Sequence, residues 1–326
     1  MDLAVFDSFS PYPLHESCRF VSMVRFANYR ARFGWARGMI GVFPALPFSR
    51  ESLTSTFGFP IPLPFVTFLN ALCQDCTTDE AVCERVADVL QCDLAGEEQR
   101  YEQTPPELFP IAGTGVDGGH IGYVIHAPEL TLPDYPIARF EPMDGNGVYL
   151  LGTSTFEAVE TKISFNMRFA LEHNWRSLAS FDWWPEVSAR LTQLGIVPDP
   201  SKAGRNYDDG HFRSVIPAVP QGWHYIRSSD GVGVLAPAAQ FHPTFSHFLD
   251  DRPNSTFVLD AASGHAAQGF PATTLWLLRE CYWHTWAPAT EDILGLCQGM
   301  SEAYSSLGRP SLAAVVDRRI APMRRR

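Results

Sequence analysis

The chain has 326 residues, which exceeds one ordinary small core and predicts about two domains. Hydrophobic residues make up 45% and charged residues 19%, which excludes a disordered chain. A formal net charge of -11 argues against non-specific nucleic-acid binding, because phosphates repel such a protein.

The acid is not spread evenly. Residues 1–50 balance at +3 and residues 162–326 at +1, whereas residues 51–161 carry 3 Arg/Lys against 18 Asp/Glu, a balance of -15. A solvated, solubilising surface is the plain reading of such a block. A docking face for a basic partner is the sharper one. The N-terminus lacks a basic, then apolar, leader pattern, and no stretch reaches the ~20 apolar residues of a membrane span. The expectation is a cytoplasmic protein with no membrane contact and with free thiols at its seven cysteines.

In chain order, residues 1–50 are aromatic and punctuated by proline, and are expected to pack on the core. Pro64 sits where a helix begins, since its missing N–H costs nothing in the first turn. Phe65, Phe68, Leu69 and Leu72 then share one face. Thr77-Thr78-Asp79-Glu80 has the form of a capping box, with Thr77 as cap. It opens a helix with Val82, Val86, Val89 and Leu90 inward and Glu84, Arg85 and Asp88 toward water. Strands are expected at 121–126, 136–140 and 148–151, with a tight turn at Met143–Gly147. Ser154-Thr155-Phe156-Glu157 is a second capping box, before a helix of about six turns whose stripe runs from Phe156 through Leu171 to Leu178. Pro185 opens another helix and Gly195 stops it. Residues 198–222 read as a connection. Strands at 223–227 and 232–236 and two closing helices, one around Leu275–Trp283 and one over 290–307, complete the pattern. The expected domains are 1–50, 51–197 and 198–326.

Three segments carry a family resemblance. Leu63-Pro64-Phe65-Val66-Thr67-Phe68-Leu69 is the first. Leu108-Phe109-Pro110-Ile111-Ala112-Gly113-Thr114-Gly115, running through Gly119 into Tyr123-Val124-Ile125, is the second. Pro136–Phe140, then Val148-Tyr149-Leu150-Leu151-Gly152 and Ser154-Thr155-Phe156-Glu157, is the third. In order and spacing these resemble the SMI1/KNR4 (SUKH) superfamily over residues 57–161, about a third of the chain. Asn70-Ala71-Leu72-Cys73 stands where that family usually has Asn-Gly.

The resemblance implies an α+β fold, a small antiparallel sheet flanked by helices, here with a mixed, largely helical C-terminal extension. It also implies an immunity-type protein that binds a cognate protein toxin, a basic nuclease, without a catalytic residue. Fungal members of the superfamily imply the alternative, a regulatory scaffold. The acidic residues expected to face such a partner are Asp79, Glu84, Asp88, Glu97, Glu98, Asp117, Asp134 and Asp144.

Chemistry elsewhere is thinly signalled. Cys73-x-x-Cys76 has ligand spacing, but Cys83 and Cys92 follow unevenly, so structural thiols are favoured over zinc. His120 and His126 flank one strand. An enzyme site around His242, His247 and Asp250 is a further alternative, with Asp251 nearby, but ordinary hydrogen-bonded histidines are favoured. Ser263-Gly264-His265 lacks a nucleophile elbow, and the glycines of 113–119 lack a Walker lysine. Trp183-Trp184 is either core or an exposed anchor. No cofactor, metal or nucleic acid is expected.

Overall fold

The computed structural model describes residues 46–115, 118–143, 147–201, 214–244, 255–284 and 290–323. The described residues all belong to one compact unit. The expectations for residues 1–45, and those for Asp117, Asp144, His247, Asp250 and Asp251, lie outside the described residues.

The described residues form an α+β fold. Helices α1 (Arg50–Phe57), α2 (Leu63–Cys73) and α3 (Asp79–Leu90) come first. Strands β1 (Asp93–Leu94), β2 (Leu108–Gly113), β3 (His120–Val124), β4 (Ile137–Phe140) and β5 (Val148–Gly152) follow. They pair in sequence order, every pair antiparallel. Next come α4 (Thr155–Glu172), α5 (Trp184–Gln193) and a hairpin of β6 (Trp223–Ile226) and β7 (Val234–Pro237). Helices α6 (Ser255–Ala267), α7 (Pro271–His284), α8 (Thr290–Ser306) and α9 (Pro310–Met323) close the chain.

The sheet is buried on both faces. Phe109, Ile111, Ile121, Tyr123, Ile137 and Leu151 belong to the large core with α1 to α5. Leu108, Val124, Ala138, Phe140 and Val148 point the other way, into a smaller cluster with Val215 and Val232. Double burial explains why β2 has no alternating pattern: all of its residues are inside. Helix α7 is buried on nearly every side from Pro271 to Cys281, which makes it the central rod of the C-terminal bundle. It packs against α6, α8 and β7.

Several local expectations shift. The cap of α3 is Thr78, not Thr77, and its hydroxyl accepts from Ala81 N at 3.2 Å. Arg85, expected in water, is buried: its guanidinium bonds to both Asp75 oxygens and to Leu72 O and lies 4.1 Å from the Trp183 ring centre. That stacking also half-buries Trp183, while Trp184 is inside the core. Helix α4 stops at Glu172, a turn short of expectation, because Asn174 takes a left-handed backbone (φ 53°) and turns the chain. Leu171 therefore stays exposed. Strands β1 and β2 are additional to the three expected, and α6 and α9 to the two closing helices. Pro310 starts α9, at a first-turn position where proline is tolerated.

Candidate functional site

The acidic block has three arginines, and each is tied to a carboxylate of the same block. Arg85 pairs with Asp75, Arg100 with Glu97 and Arg139 with Glu141. Asp79, Glu80 and Glu84 on α3, and Asp93 just after it, are exposed and enter no ion pair among the described residues. Asp79 and Glu80 occupy the first turn, where the helix dipole favours negative charge. Glu84 and Asp93 have no such local reason to be acidic. The group surrounds Cys83, whose thiol is pushed up first by burial and then by Asp93, Asp79 and Glu80. The result is an acidic ridge along the solvent side of α3.

The other expected partner residues are placed differently. Asp88 is half-buried. Glu97 is held between Arg100 and Arg318, with Nη2 atoms at 3.0 and 3.1 Å, and these two arginines outweigh burial to keep its carboxyl low. Glu98 is exposed but accepts from Gly96 N at 2.8 Å. Asp134 accepts from Thr155 N at 2.8 Å and from Thr155 Oγ1 at 2.7 Å. Glu97 and Asp134 are thus half-buried and serve the chain's own arginines and backbone, whereas Glu98 faces water as expected with one oxygen bonded to the backbone.

A second charged constellation joins the sheet to the C-terminal helices. Arg279 on α7 donates from Nη1 to Glu107 Oε1 and to Gly233 O, each at 2.8 Å, and from Nε to Asp230 Oδ2 at 3.1 Å. Tyr304 Oη on α8 donates to the same Glu107 oxygen at 2.7 Å. Burial and the Asp230 charge push the Glu107 carboxyl up against the pull of Arg279. Burial would also raise Asp230, but Arg279 and the Ser228 hydroxyl outweigh it and hold that carboxyl low. Arg309, at the start of α9, reaches Glu129 at 2.8 Å and Leu235 O at 2.6 Å. Arg319 donates to Thr104 O, and Tyr282 Oη to Glu102 O at 2.8 Å. Carboxylates of the acidic block thereby meet arginines of the C-terminal bundle. No local spacing announces this, since Glu107 and Arg279 lie 172 positions apart.

The remaining candidates resolve as follows. His126 is buried, and its Nε2–H is shared between Val215 O and Val232 O at 3.1 and 3.0 Å. His242 is half-buried, its Nδ1 accepts from Thr244, and its ring lies 5.0 Å from that of His265 and 4.9 Å from Phe270. Burial and the neighbouring His242 lower the His265 pKa. Ser263-Gly264-His265 lies inside α6. Ser229 Oγ donates to Glu280 Oε2 at 2.7 Å, and His284 Nε2 lies 2.9 Å from the same hydroxyl. Among the described residues, no three His, Cys, Asp or Glu side chains converge as a metal site. No helix among them is long and apolar enough to cross a membrane. Comparison with protein-family models gives no match, and neither does comparison with curated proteins.

Proposed function

We propose that the chain is a binding protein of the SMI1/KNR4 (SUKH) type that neutralises a basic protein toxin, a nuclease, by docking on it directly. The observation that carries this reading is the acidic ridge of Asp79, Glu80, Glu84 and Asp93, exposed while every arginine of the same block is committed elsewhere. Such a ridge offers negative charge to the cationic groove with which a nuclease holds phosphates, and it steers association over a distance set by salt. The antiparallel meander with helices against one face accords with the family's architecture. The arginines that enter the charged junction illustrate the chemistry in cis: guanidinium groups find carboxylates of this block.

The test is co-purification from the native host at low and high salt, with the wild-type chain and a variant carrying Asp79→Lys, Glu80→Lys and Glu84→Lys. A basic protein with nuclease activity, released by salt, inhibited by the wild-type chain and not captured by the variant, is the expected result. Capture that ignores both salt and the three reversals would remove the acidic ridge from the mechanism. A captured partner without nuclease activity would favour a regulatory scaffold.

A further inference from the structure

Two cysteines meet where α2 ends. Cys73 is its last residue, and Cys76 N donates to Cys73 O at 2.9 Å across the turn that follows. A bond of this i to i+3 kind brings the two Cα atoms within about 7 Å. Disulfides span Cα separations of about 4.4–6.8 Å. The Cys76 thiol donates to Ala81 O at 3.6 Å, and each thiol raises or lowers the other's ionisation, so the two side chains are close enough to interact. Cys73 is fully enclosed, whereas Cys76 keeps 8% of its surface open to solvent. The groups around them are Asp75 in the turn itself, Arg85 from α3 and Arg190 from α5. No third ligand among the described residues joins them as a metal-binding group. What remains is a two-sulfur site with an outer and an inner member.

We infer that Cys73 and Cys76 form a dithiol site that hydrogen peroxide closes into a disulfide, fastening the end of α2 to the turn that leads into α3. Cys76 takes the first attack because it is the less enclosed of the two residues. Its thiolate attacks one peroxide oxygen, the O–O bond breaks, and the leaving hydroxide takes a proton to become water. The Cys73 sulfur then attacks the sulfenic sulfur of Cys76. The S–O bond breaks and a second water leaves with the Cys73 proton. Two thiols have lost two electrons and two protons to one peroxide. Burial pushes both thiols up, most strongly Cys73, and the Arg85 guanidinium only partly offsets this. The site is accordingly a slow one whose rate grows with pH, because only thiolate attacks. Penalising the thiolate also favours the bonded form once made. Asp75, which anchors both Arg85 and Arg190, lies inside the closed loop, so the bond fixes the anchor that holds α3 and α5 together.

The experiment treats the folded full-length chain with hydrogen peroxide over a pH series, removes the oxidant, denatures, alkylates the remaining thiols and maps the peptides. The expected result is a peptide linked through Cys73 and Cys76, reversed by a thiol reductant, forming about tenfold faster per pH unit. A Cys76→Ser chain should leave Cys73 open to alkylation after the same treatment, and a Cys83→Ser chain should cross-link as the wild type does. The inference fails if Cys73 and Cys76 both remain alkylatable while other cysteines oxidise, or if the link forms only after unfolding in urea.

Discussion

Arg279 and Glu107 meet across the junction of sheet and helical bundle, with the guanidinium Nη1 2.8 Å from the carboxylate Oε1 and both side chains almost completely buried. Asp230 lies on the other edge of the same guanidinium. Two carboxylates therefore depend on one buried cation. Removing it is costly because charges left in a low-dielectric interior have nothing to replace their water. Arg279→Met should destabilise the chain by about 3–5 kcal/mol in urea unfolding. Glu107→Gln added to that variant should recover part of the loss by deleting one stranded charge. A cost below about 1 kcal/mol for Arg279→Met would mean that the junction is held by apolar packing alone.

Acid should weaken the fold through two buried histidines. Burial pushes His120 and His126 down from 6.5 to about 4. Between these values the unfolded chain binds protons that the folded chain refuses. The stability each neutral ring retains is thus complete above about 6.5 and falls away as pH drops toward about 4, by on the order of 3 kcal/mol per ring. His126→Gln keeps a donor for Val215 O and Val232 O without the titration. Its unfolding free energy should fall less steeply from pH 7 to pH 4 than that of the wild type. Equal slopes would show that His126 titrates normally in the fold.

Asp75 should add a separate limb at lower pH. The bonds from Arg85 hold its carboxyl well below the usual carboxylate range, with burial opposing and Arg190 assisting. A depressed carboxyl contributes stability above its unfolded value near 4, and that contribution disappears as pH falls through the folded value. Asp75→Asn should flatten the acid limb below about pH 4. It should also loosen α5, which hydrogen exchange in Trp184–Gln193 would register.

The acidic residues should separate into two classes. Glu84→Lys alters an exposed side chain and should change stability by less than about 0.5 kcal/mol. Asp134→Ala strips the acceptor from Thr155 N at the start of α4 and should cost about 1–3 kcal/mol. For association with a captured basic partner the ranking should invert, with Glu84→Lys slowing the on-rate and Asp134→Ala affecting it little. Both parameters moving together in each variant would contradict the division.

Gly231 and Gly195 both have a positive φ, at 84° and 79°. A Cβ at Gly231 would lie 2.2 Å from Val148 O, whereas nothing lies within 4 Å of one at Gly195. Gly195→Ala should therefore show only backbone strain, about 1 kcal/mol. Gly231→Ala should cost more, because the turn between β6 and β7 would have to withdraw from β5. Equal thermal midpoints would refute the close approach.

Local chemistry is what the sequence determined by itself. Pro64, Pro185 and the Ser154 cap set helix starts because proline and side-chain acceptors act within one turn. Strands near 121, 137 and 148 were legible because apolar runs ended in turns. The charge of the 51–161 block, and hence the idea of a docking face, also needed only the sequence. Tertiary structure decided the rest. Strand β2 was hidden by burial on both faces, which erases the period of two. Arg85 looked like a surface residue until Asp75, Leu72 O and Trp183 gave it a buried place. Glu97 and Asp134 looked free until Arg318 and Thr155, distant along the chain, came to them. The physical reason is range. Capping and turn preferences act over a few residues, whereas a buried charge is stabilised by whichever partner the fold delivers, and spacing along the chain carries no record of that partner.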